Sequence, residues 1–119
     1  MKETVIDISP ENVDAYESNL LKNGEQECFL KVHTPNCGFC KQLKPEWDKL
    51  KEYVKNNGND HVMIVSIDAS VKDKFNIPTE IHGYPTLLYL NKDGTIKDEY
   101  KSGDRSFENL KNFLLSQNS

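Results

Sequence analysis

Short unbroken runs of apolar residues, of the kind that form buried strands, recur along this chain. Polar turns separate the runs, and one turn, Asn91-Lys92-Asp93-Gly94, ends in the Asp-Gly pair that is typical of a β-hairpin. Strands are predicted at residues 5–8, 27–34, 61–68, 87–90 and 95–100. Because the hairpin turn joins the last two strands, these should pair antiparallel.

Apolar residues at helical spacing predict helices between and after the strands. One stripe follows the second strand and consists of Leu43, Trp47, Leu50 and Val54. A last amphipathic helix, capped at Ser106, carries Phe107, Leu110, Phe113 and Leu114. A further helix is predicted from a cap at Ser9, with Pro10 at its first position, to about Leu21, and a short one around residues 71–75.

The order of these elements predicts an α/β fold. Parallel strands joined by helical crossovers should form a mixed sheet with one antiparallel hairpin appended, and helices should cover both faces. The chain has 119 residues, which is the size of one ordinary domain, and no linker or repeat divides it. A single domain over residues 1–119 is therefore expected.

Composition narrows the classes of function. With 36% hydrophobic and 29% charged residues and a mean hydropathy of -0.70, the sequence predicts no membrane-spanning segment. The net charge is -4, the sequence pI is about 5.3, and Arg105 is the only arginine, so the clustered positive charge that nucleic-acid binding requires is not expected.

Cysteine usage indicates chemistry by a local pair. The chain has three cysteines, so paired structural disulfides cannot use them all. Cys37 and Cys40 form a Cys-x-x-Cys motif at the junction of a strand and a helix, where free N–H groups and the helix dipole favour a thiolate. Cys37 is thus the candidate nucleophile. Cys40, nearly one turn further on, can resolve the mixed disulfide that Cys37 forms with a substrate.

Other readings of the cysteines stay open. Cys28, His33, Cys37 and Cys40 amount to the four ligands of a structural zinc site, although Cys28 and His33 should point to opposite faces of one strand. The pair could also consist of inert buried thiols, but Pro35 and Gly38 indicate an exposed turn. Cys28 itself is expected to behave as a small buried hydrophobe, and no metal is expected at the pair.

Three stretches of the sequence resemble one family. The run Pro35-Asn36-Cys37-Gly38-Phe39-Cys40-Lys41-Gln42-Leu43-Lys44-Pro45-Glu46-Trp47 is similar to the active-site stretch of thioredoxins and, more closely, of protein disulfide isomerase catalytic domains. Gly83-Tyr84-Pro85-Thr86 resembles the loop that carries the family's cis-proline, and Tyr100-Lys101-Ser102-Gly103-Asp104-Arg105 resembles the segment with its functional arginine. The resemblance covers almost the whole chain.

The resemblance implies a thioredoxin fold and a thiol–disulfide oxidoreductase that reduces, forms or isomerises protein disulfides. It implies a cis peptide bond at Tyr84-Pro85 that leaves a backbone edge for an extended substrate beside Cys37, and an Arg105 that stabilises the Cys40 thiolate. The redox group would be the Cys37-Cys40 disulfide itself, with no other cofactor. A module that holds peptides at the Tyr84-Pro85 groove with little redox turnover, or a zinc-stabilised structural domain, is the alternative.

Departures from the family pattern mark further residues. Asn36 stands where the family usually has an aromatic residue, and the middle pair is Gly38-Phe39, in which Phe39 cannot offer a thiolate the hydrogen bond or charge of a histidine. Together with Tyr84 and Pro85 these are the candidate substrate contacts. The largest departure is Lys31, which occupies the position of a buried acid that accepts the proton of the second cysteine.

By the same resemblance, Ile64 occupies the position of the lysine that often pairs with that acid. A cation near Cys40 would stabilise the reduced thiolate and make the disulfide more oxidising. A partly buried Lys31 could instead lose its proton and act as the base, snorkel to solvent or pair with an acid elsewhere.

Partners and location follow from these expectations. The partners are expected to be protein or peptide disulfides and dithiols, with a reductase, glutathione or an oxidase to recycle the pair, and the chain is expected to be a monomer. Residues 1–5 do not read as a secretory signal and residues 116–119 do not form a retention signal. The chain as given is thus expected in the cytoplasm, or in the endoplasmic reticulum lumen if it is an excised isomerase domain.

Overall fold

A central sheet of five strands organises the protein. In the computed structural model, which describes residues 3–58 and 60–117, the strands are β1 (Val5–Ile8), β2 (Glu27–His33), β3 (Val62–Asp68), β4 (Thr86–Leu90) and β5 (Ile96–Glu99). Their order in the sheet is β1-β3-β2-β4-β5. β3 pairs parallel with β1 and β2, whereas β4 pairs antiparallel with β2 and β5. The predicted mixed sheet is thereby confirmed.

The predicted hairpin between β4 and β5 is also present. The Asn91 amide donates to the Thr95 carbonyl at 2.8 Å, and the Gly94 amide donates to the Asn91 carbonyl at 2.9 Å. Gly94 has a φ of +87°, a conformation that glycine adopts without the steric cost that other residues meet. The Asp93-Gly94 pair therefore forms the hairpin turn that the sequence predicts.

Two α-helices cover one face of the sheet. They are α1 (Gly38–Asn57), whose buried side is the predicted stripe, and α2 (Phe107–Ser116), whose N-cap Ser106 accepts from the Asn109 amide as expected. Their buried residues join those of the facing strands in one apolar cluster, which consists of Phe29, Leu43, Trp47, Leu50, Val54, Val62, Ile64, Leu87, Tyr89, Leu110 and Leu114. This packing holds the start of α1 firmly at the end of β2.

The opposite face is covered by 3-10 turns rather than α-helices. These turns span Val13–Ala15, Leu20–Lys22 and Ala69–Phe75, and they contribute Leu21 and Phe75 to a second buried cluster. The short helix around residues 71–75 is thus present as part of the third turn. No described helix is long and apolar enough to cross a membrane.

The predicted helix from Ser9 to Leu21 is wrong. The Ser9 carbonyl accepts from the Asn12 amide at 3.1 Å, a bond between residues three apart that forms a turn and not an α-helix. Asn12 has φ -128° and ψ 5°, and Tyr16 is extended, with φ -119° and ψ 141°. The backbone leaves the helical conformation at these two residues, so the segment forms two 3-10 turns.

Met1, Lys2, Asn118 and Ser119, on which the expectations about targeting signals partly rest, lie outside the described residues, as does Asn59 in the predicted polar stop.

Candidate active site at the start of the first helix

Cys37 is the N-cap of α1. Its backbone is extended, with φ -93° and ψ 122°, and its Sγ accepts a hydrogen bond from the Cys40 amide at 3.1 Å. The pKa of Cys37 is lowered, chiefly by a hydrogen bond from the Cys40 side chain, with smaller contributions from the amides of Cys40 and Phe39 and from the charge of Arg105. The sulfur is therefore held in an environment that favours a thiolate, as its position predicts.

Cys40 lies one turn deeper. It is only 7% exposed, and burial, followed by its hydrogen bond to Cys37, raises its pKa to about 11. At neutral pH it is a thiol that donates to its neighbour. Cys37 and Cys40 lie within hydrogen-bonding distance of each other, yet the first turn of α1 lowers the pKa of Cys37 and leaves that of Cys40 raised.

The loop that precedes β4 faces Cys37. The Tyr84-Pro85 peptide bond is cis, as expected, and the Cys37 thiol donates to the Tyr84 carbonyl at 3.3 Å. Both Tyr84 and Pro85 are half-buried. The structure therefore brings this loop, 47 residues away in sequence, directly against the candidate nucleophile.

Exposed residues surround the cysteine pair. Asn36, Gly38 and Phe39 lie on the surface, and Phe39 is 59% exposed, which is unusual for a large apolar side chain. The guanidinium of Arg105 lies 5.7 Å from the centre of the Phe39 ring. Arg105 therefore stands beside the motif, but its charge acts on the pKa of Cys37, whereas the resemblance implied an action on Cys40.

Lys31 lies beneath the helix start and is 7% exposed. Its ammonium is 5.2 Å from the centre of the Trp47 ring, and burial lowers its pKa to about 8. A cavity of about 370 Å³ is lined by both Lys31 and Cys40. The cation that the sequence places near Cys40 is thus present, and it does not snorkel into bulk solvent.

The strand register shows which residue of β3 lies beside Lys31. Lys31 pairs with Ser66 of β3, whereas Ile64 pairs with Phe29 and belongs to the apolar cluster under α1. Ser66 is buried and lines the cavity. A hydroxyl therefore occupies the position beside Lys31.

The four ligands of the zinc alternative do not converge. Cys28 is fully buried in the cluster on the other face of the sheet, and burial raises its pKa strongly. Within the described part of the chain, no three His, Cys, Asp or Glu residues are arranged to hold a metal ion. Cys28 is accordingly a core residue, as its sequence context indicates.

Glu46 is a residue to which sequence reasoning gave no role. Its carboxylate accepts a hydrogen bond from the Phe107 amide at 2.9 Å, at the start of α2. This contact joins α1 to the segment that carries Arg105. No local pattern predicts a contact between residues 61 positions apart.

Comparison with known protein families and curated sequences identifies relatives. A family model described as Thioredoxin matches residues 7–116. The protein disulfide-isomerase-like protein EhSep2 of Emiliania huxleyi is 33% identical over 113 residues, which make up 94% of this chain and 48% of that protein. The protein disulfide-isomerase of Arthroderma benhamiae is 33% identical over 97 residues, 80% of this chain and 18% of that protein. The chain thus spans less than half the length of these relatives.

Solved structures of similar shape are also known. Human ERp44 superimposes with a TM-score of 0.73 at 22% identity, over 100% of this chain and 30% of that one. The J-Trx1 fragment of ERdj5 superimposes with a TM-score of 0.68 at 22% identity, over 96% of this chain and 51% of that one. At this level of identity the likeness concerns the fold alone.

Proposed function

This chain belongs to the thioredoxin family and has the thioredoxin fold, and on that premise we propose that it is a thiol–disulfide oxidoreductase that acts through Cys37 and Cys40. The observation that carries the proposal is the unequal acidity of the two sulfurs. The pKa of Cys37 is lowered at the mouth of α1, and that of Cys40 is raised to about 11 one turn deeper. A nucleophile and a protected resolving thiol require this division of roles.

The reaction proceeds by two exchanges. The Cys37 thiolate attacks one sulfur of a substrate disulfide, so that a mixed disulfide forms and the other substrate sulfur leaves as a thiolate. Cys40 then loses its proton and attacks the Cys37 sulfur, which forms the Cys37-Cys40 disulfide and releases the second substrate thiolate. The substrate gains two electrons and the protein loses two. Run backwards, the same steps donate a disulfide to a substrate dithiol.

Substrates are proposed to bind across the Tyr84-Pro85 loop. In the reduced protein the Tyr84 carbonyl accepts a hydrogen bond from the Cys37 thiol. Once Cys37 ionises, that carbonyl becomes available to accept from the backbone amide of an extended peptide. The exposed Asn36, Gly38 and Phe39 are proposed to supply the remaining contacts, with Phe39 as an apolar surface for protein substrates.

The redox disulfide needs no separate cofactor in this scheme, and Arg105 is proposed to support the Cys37 thiolate. A reductase, glutathione or an oxidase is proposed to recycle the pair, and the domain is proposed to act as a monomer. Its relatives named protein disulfide-isomerase favour work on protein disulfides in an oxidising compartment such as the endoplasmic reticulum lumen.

Reduction of insulin disulfides by dithiothreitol tests the proposal. The wild type should accelerate the reaction, and Cys37→Ser should abolish the acceleration. Cys28→Ala is the matched control, because Cys28 is fully buried on the other face of the sheet, and it should retain activity. Cys40→Ser should accumulate a mixed disulfide that mass spectrometry detects.

A module that only binds peptides would behave differently. It would show no turnover in the wild type, and its affinity for an extended peptide would survive Cys37→Ser. That result would overturn the oxidoreductase proposal.

A further inference from the structure

Lys31 is a buried cation without a counter-ion. It is 7% exposed, and among the described residues its ammonium makes no hydrogen bond or ion pair with another side chain or with the backbone. Its ammonium lies over the Trp47 ring at 5.2 Å. Burying an ammonium without such a partner is costly to folding.

The acids nearest to Lys31 are already occupied. Asp7 accepts from Lys51 at 2.9 Å, and Asp48 contacts both Lys51 at 3.2 Å and Lys44 at 3.0 Å. Their effects on Lys31 are consequently opposed by the two lysines that bind them. The charged, titratable or polar groups that line the cavity with Lys31 are Asp7 from β1, Ser9 after it, His33 from β2, Thr34 after it, Ser66 from β3 and Cys40, Lys41, Lys44, Asp48 and Lys51 from α1.

Cys40 is the group in this cavity that becomes negative during the proposed reaction. We propose that Lys31 is a positioning residue for the resolving step, in which its ammonium stabilises the Cys40 thiolate as that sulfur attacks the mixed disulfide on Cys37. This inference rests on the proposed function. The family resemblance implies a buried acid beside the resolving sulfur, whereas in this chain that position is held by the Lys31 ammonium.

The effect concerns the rate of resolution more than the redox equilibrium. Cys40 has a pKa of about 11, so it is a thiol in the resting reduced protein at neutral pH, and stabilising its thiolate does not change the population of that state. The thiolate is required only when Cys40 attacks. The expectation of a more oxidising disulfide at neutral pH is therefore replaced by an expectation of faster resolution.

The pH dependence of resolution distinguishes this role. The reactive form contains the Lys31 ammonium and the Cys40 thiolate, and it holds one proton fewer than the resting form. Below the pKa of Lys31, about 8, its population rises about tenfold per pH unit. Above that value the resting form has itself lost a proton from Lys31, so the rise should flatten over about one pH unit, until the Cys40 thiolate beside a neutral Lys31 becomes the larger population. His33 does not interfere, because burial lowers its pKa from an ordinary 6.5.

The experiment is a stopped-flow reaction of the full reduced chain with dithiobis(nitrobenzoate), whose released thiolate absorbs visible light. Attack by Cys37 releases the first thiolate, and resolution by Cys40 releases the second. Both phases are followed from about pH 6 to about pH 10, a range that includes the expected break. The proteins are the wild type, Lys31→Met, Lys31→Arg and Cys40→Ser.

We expect the rise of the wild-type second phase to flatten between about pH 8 and about pH 9, a width equal to the effect of about one unit that the ammonium has on the pKa of Cys40, and to resume above it. In Lys31→Met the second phase should continue to rise through that range. At about pH 7 it should be roughly threefold slower, because a pKa higher by about one unit removes most of the thiolate while greater nucleophilicity restores part of the rate. Lys31→Arg should retain most of the rate at about pH 7 and lack the level region, because its guanidinium does not titrate.

Identical second-phase pH profiles in the wild type and Lys31→Met would overturn the inference. If Lys31→Met does not fold, as shown by release of a further thiolate from Cys28, which is fully buried in the folded protein, a level region that persists in Lys31→Arg would overturn it equally. Failure of the proposed function would show in the number of thiolates released. In that case the wild type would release a single thiolate per chain, or Cys40→Ser would release two.

Discussion

The guanidinium of Arg105 lies 5.7 Å from the centre of the Phe39 ring, beside the first turn of α1. Phe39 is exposed, so this pair forms part of the surface next to Cys37. The positive charge of Arg105 also contributes to lowering the pKa of Cys37. The pair therefore links the surface around the nucleophile to its acidity.

Replacing Arg105 should raise the pKa of Cys37. Arg105→Gln removes the charge but keeps a polar side chain, and the rise should be small, because the hydrogen bond from Cys40 is the larger cause of the lowered pKa. Ultraviolet absorbance of the thiolate as a function of pH measures it. Arg105→Lys keeps the charge and serves as the control. An unchanged pKa in Arg105→Gln would show that the charge does not reach the sulfur.

A histidine at position 39 should make the pair more oxidising. Phe39 offers the Cys37 thiolate no side-chain donor, whereas a protonated imidazole would stabilise it and with it the reduced state. Because the site is exposed, we expect the equilibrium with glutathione to shift by about threefold to tenfold toward the dithiol. Phe39→Leu is the matched control and should leave the equilibrium near that of the wild type. A histidine variant that behaves like the leucine variant would contradict the argument.

The parts of the site that were predictable from the sequence depend on local rules. Cys37 could be placed at a helix start because the strand, turn and helix signals are adjacent in the chain, and Ser106 could be assigned as a cap for the same reason. The Asp93-Gly94 turn is a further case. Each of these features is determined within a few residues, so periodicity and turn chemistry suffice.

The remaining features depend on contacts that local patterns do not encode. Ser66, not Ile64, lies beside Lys31 because the strand register is set by the packing of the whole sheet. Lys31 lacks a counter-ion because Lys51, on α1, binds Asp7 of β1. The segment from Ser9 forms turns because its backbone leaves the helical conformation at Asn12 and Tyr16, which the cap and the proline at its start do not reveal.

The contact between Glu46 and Phe107 should anchor α2 on α1. Glu46→Ala removes the acceptor for the Phe107 amide, so that amide should exchange with solvent deuterium faster than in the wild type. The Asn109 amide, bound by Ser106, should change less. Amide exchange followed by nuclear magnetic resonance measures both.

Glu52→Ala is the control for this experiment, because Glu52 lies on the same helix with an exposed side chain paired to Lys55. It should leave the Phe107 amide unaffected. Equal exchange of the Phe107 amide in Glu46→Ala and in the wild type would contradict an anchoring role. Since the contact lowers the pKa of Glu46, its contribution should be present at neutral pH and lost as the pH falls through that lowered value.

Removal of the buried charge at Lys31 should stabilise the fold at neutral pH. The pKa of Lys31 falls from an ordinary 10.5 to about 8 in the folded protein, so between these values the unfolded chain binds more protons than the folded one. At about 1.4 kcal/mol per pH unit, the whole interval corresponds to about 3 kcal/mol against folding while Lys31 is charged. Lys31→Met should therefore have the larger free energy of unfolding at pH 7.

The advantage of Lys31→Met should be constant below about pH 8 and shrink as the pH rises from about 8 toward 10.5, because the wild type sheds its buried charge over that range. Burial raises the pKa values of Cys28 and Tyr89, which weakens both proteins at high pH, so the effect of these two groups cancels in the difference. Urea unfolding at about pH 7 and about pH 9.5 measures the gap. A gap that does not change with pH would mean that the ammonium is not the source of the cost. We therefore expect Lys31→Met to be more stable than the wild type but slower in the resolving step. This combination follows if the Lys31 charge destabilises the fold and assists the chemistry at Cys40.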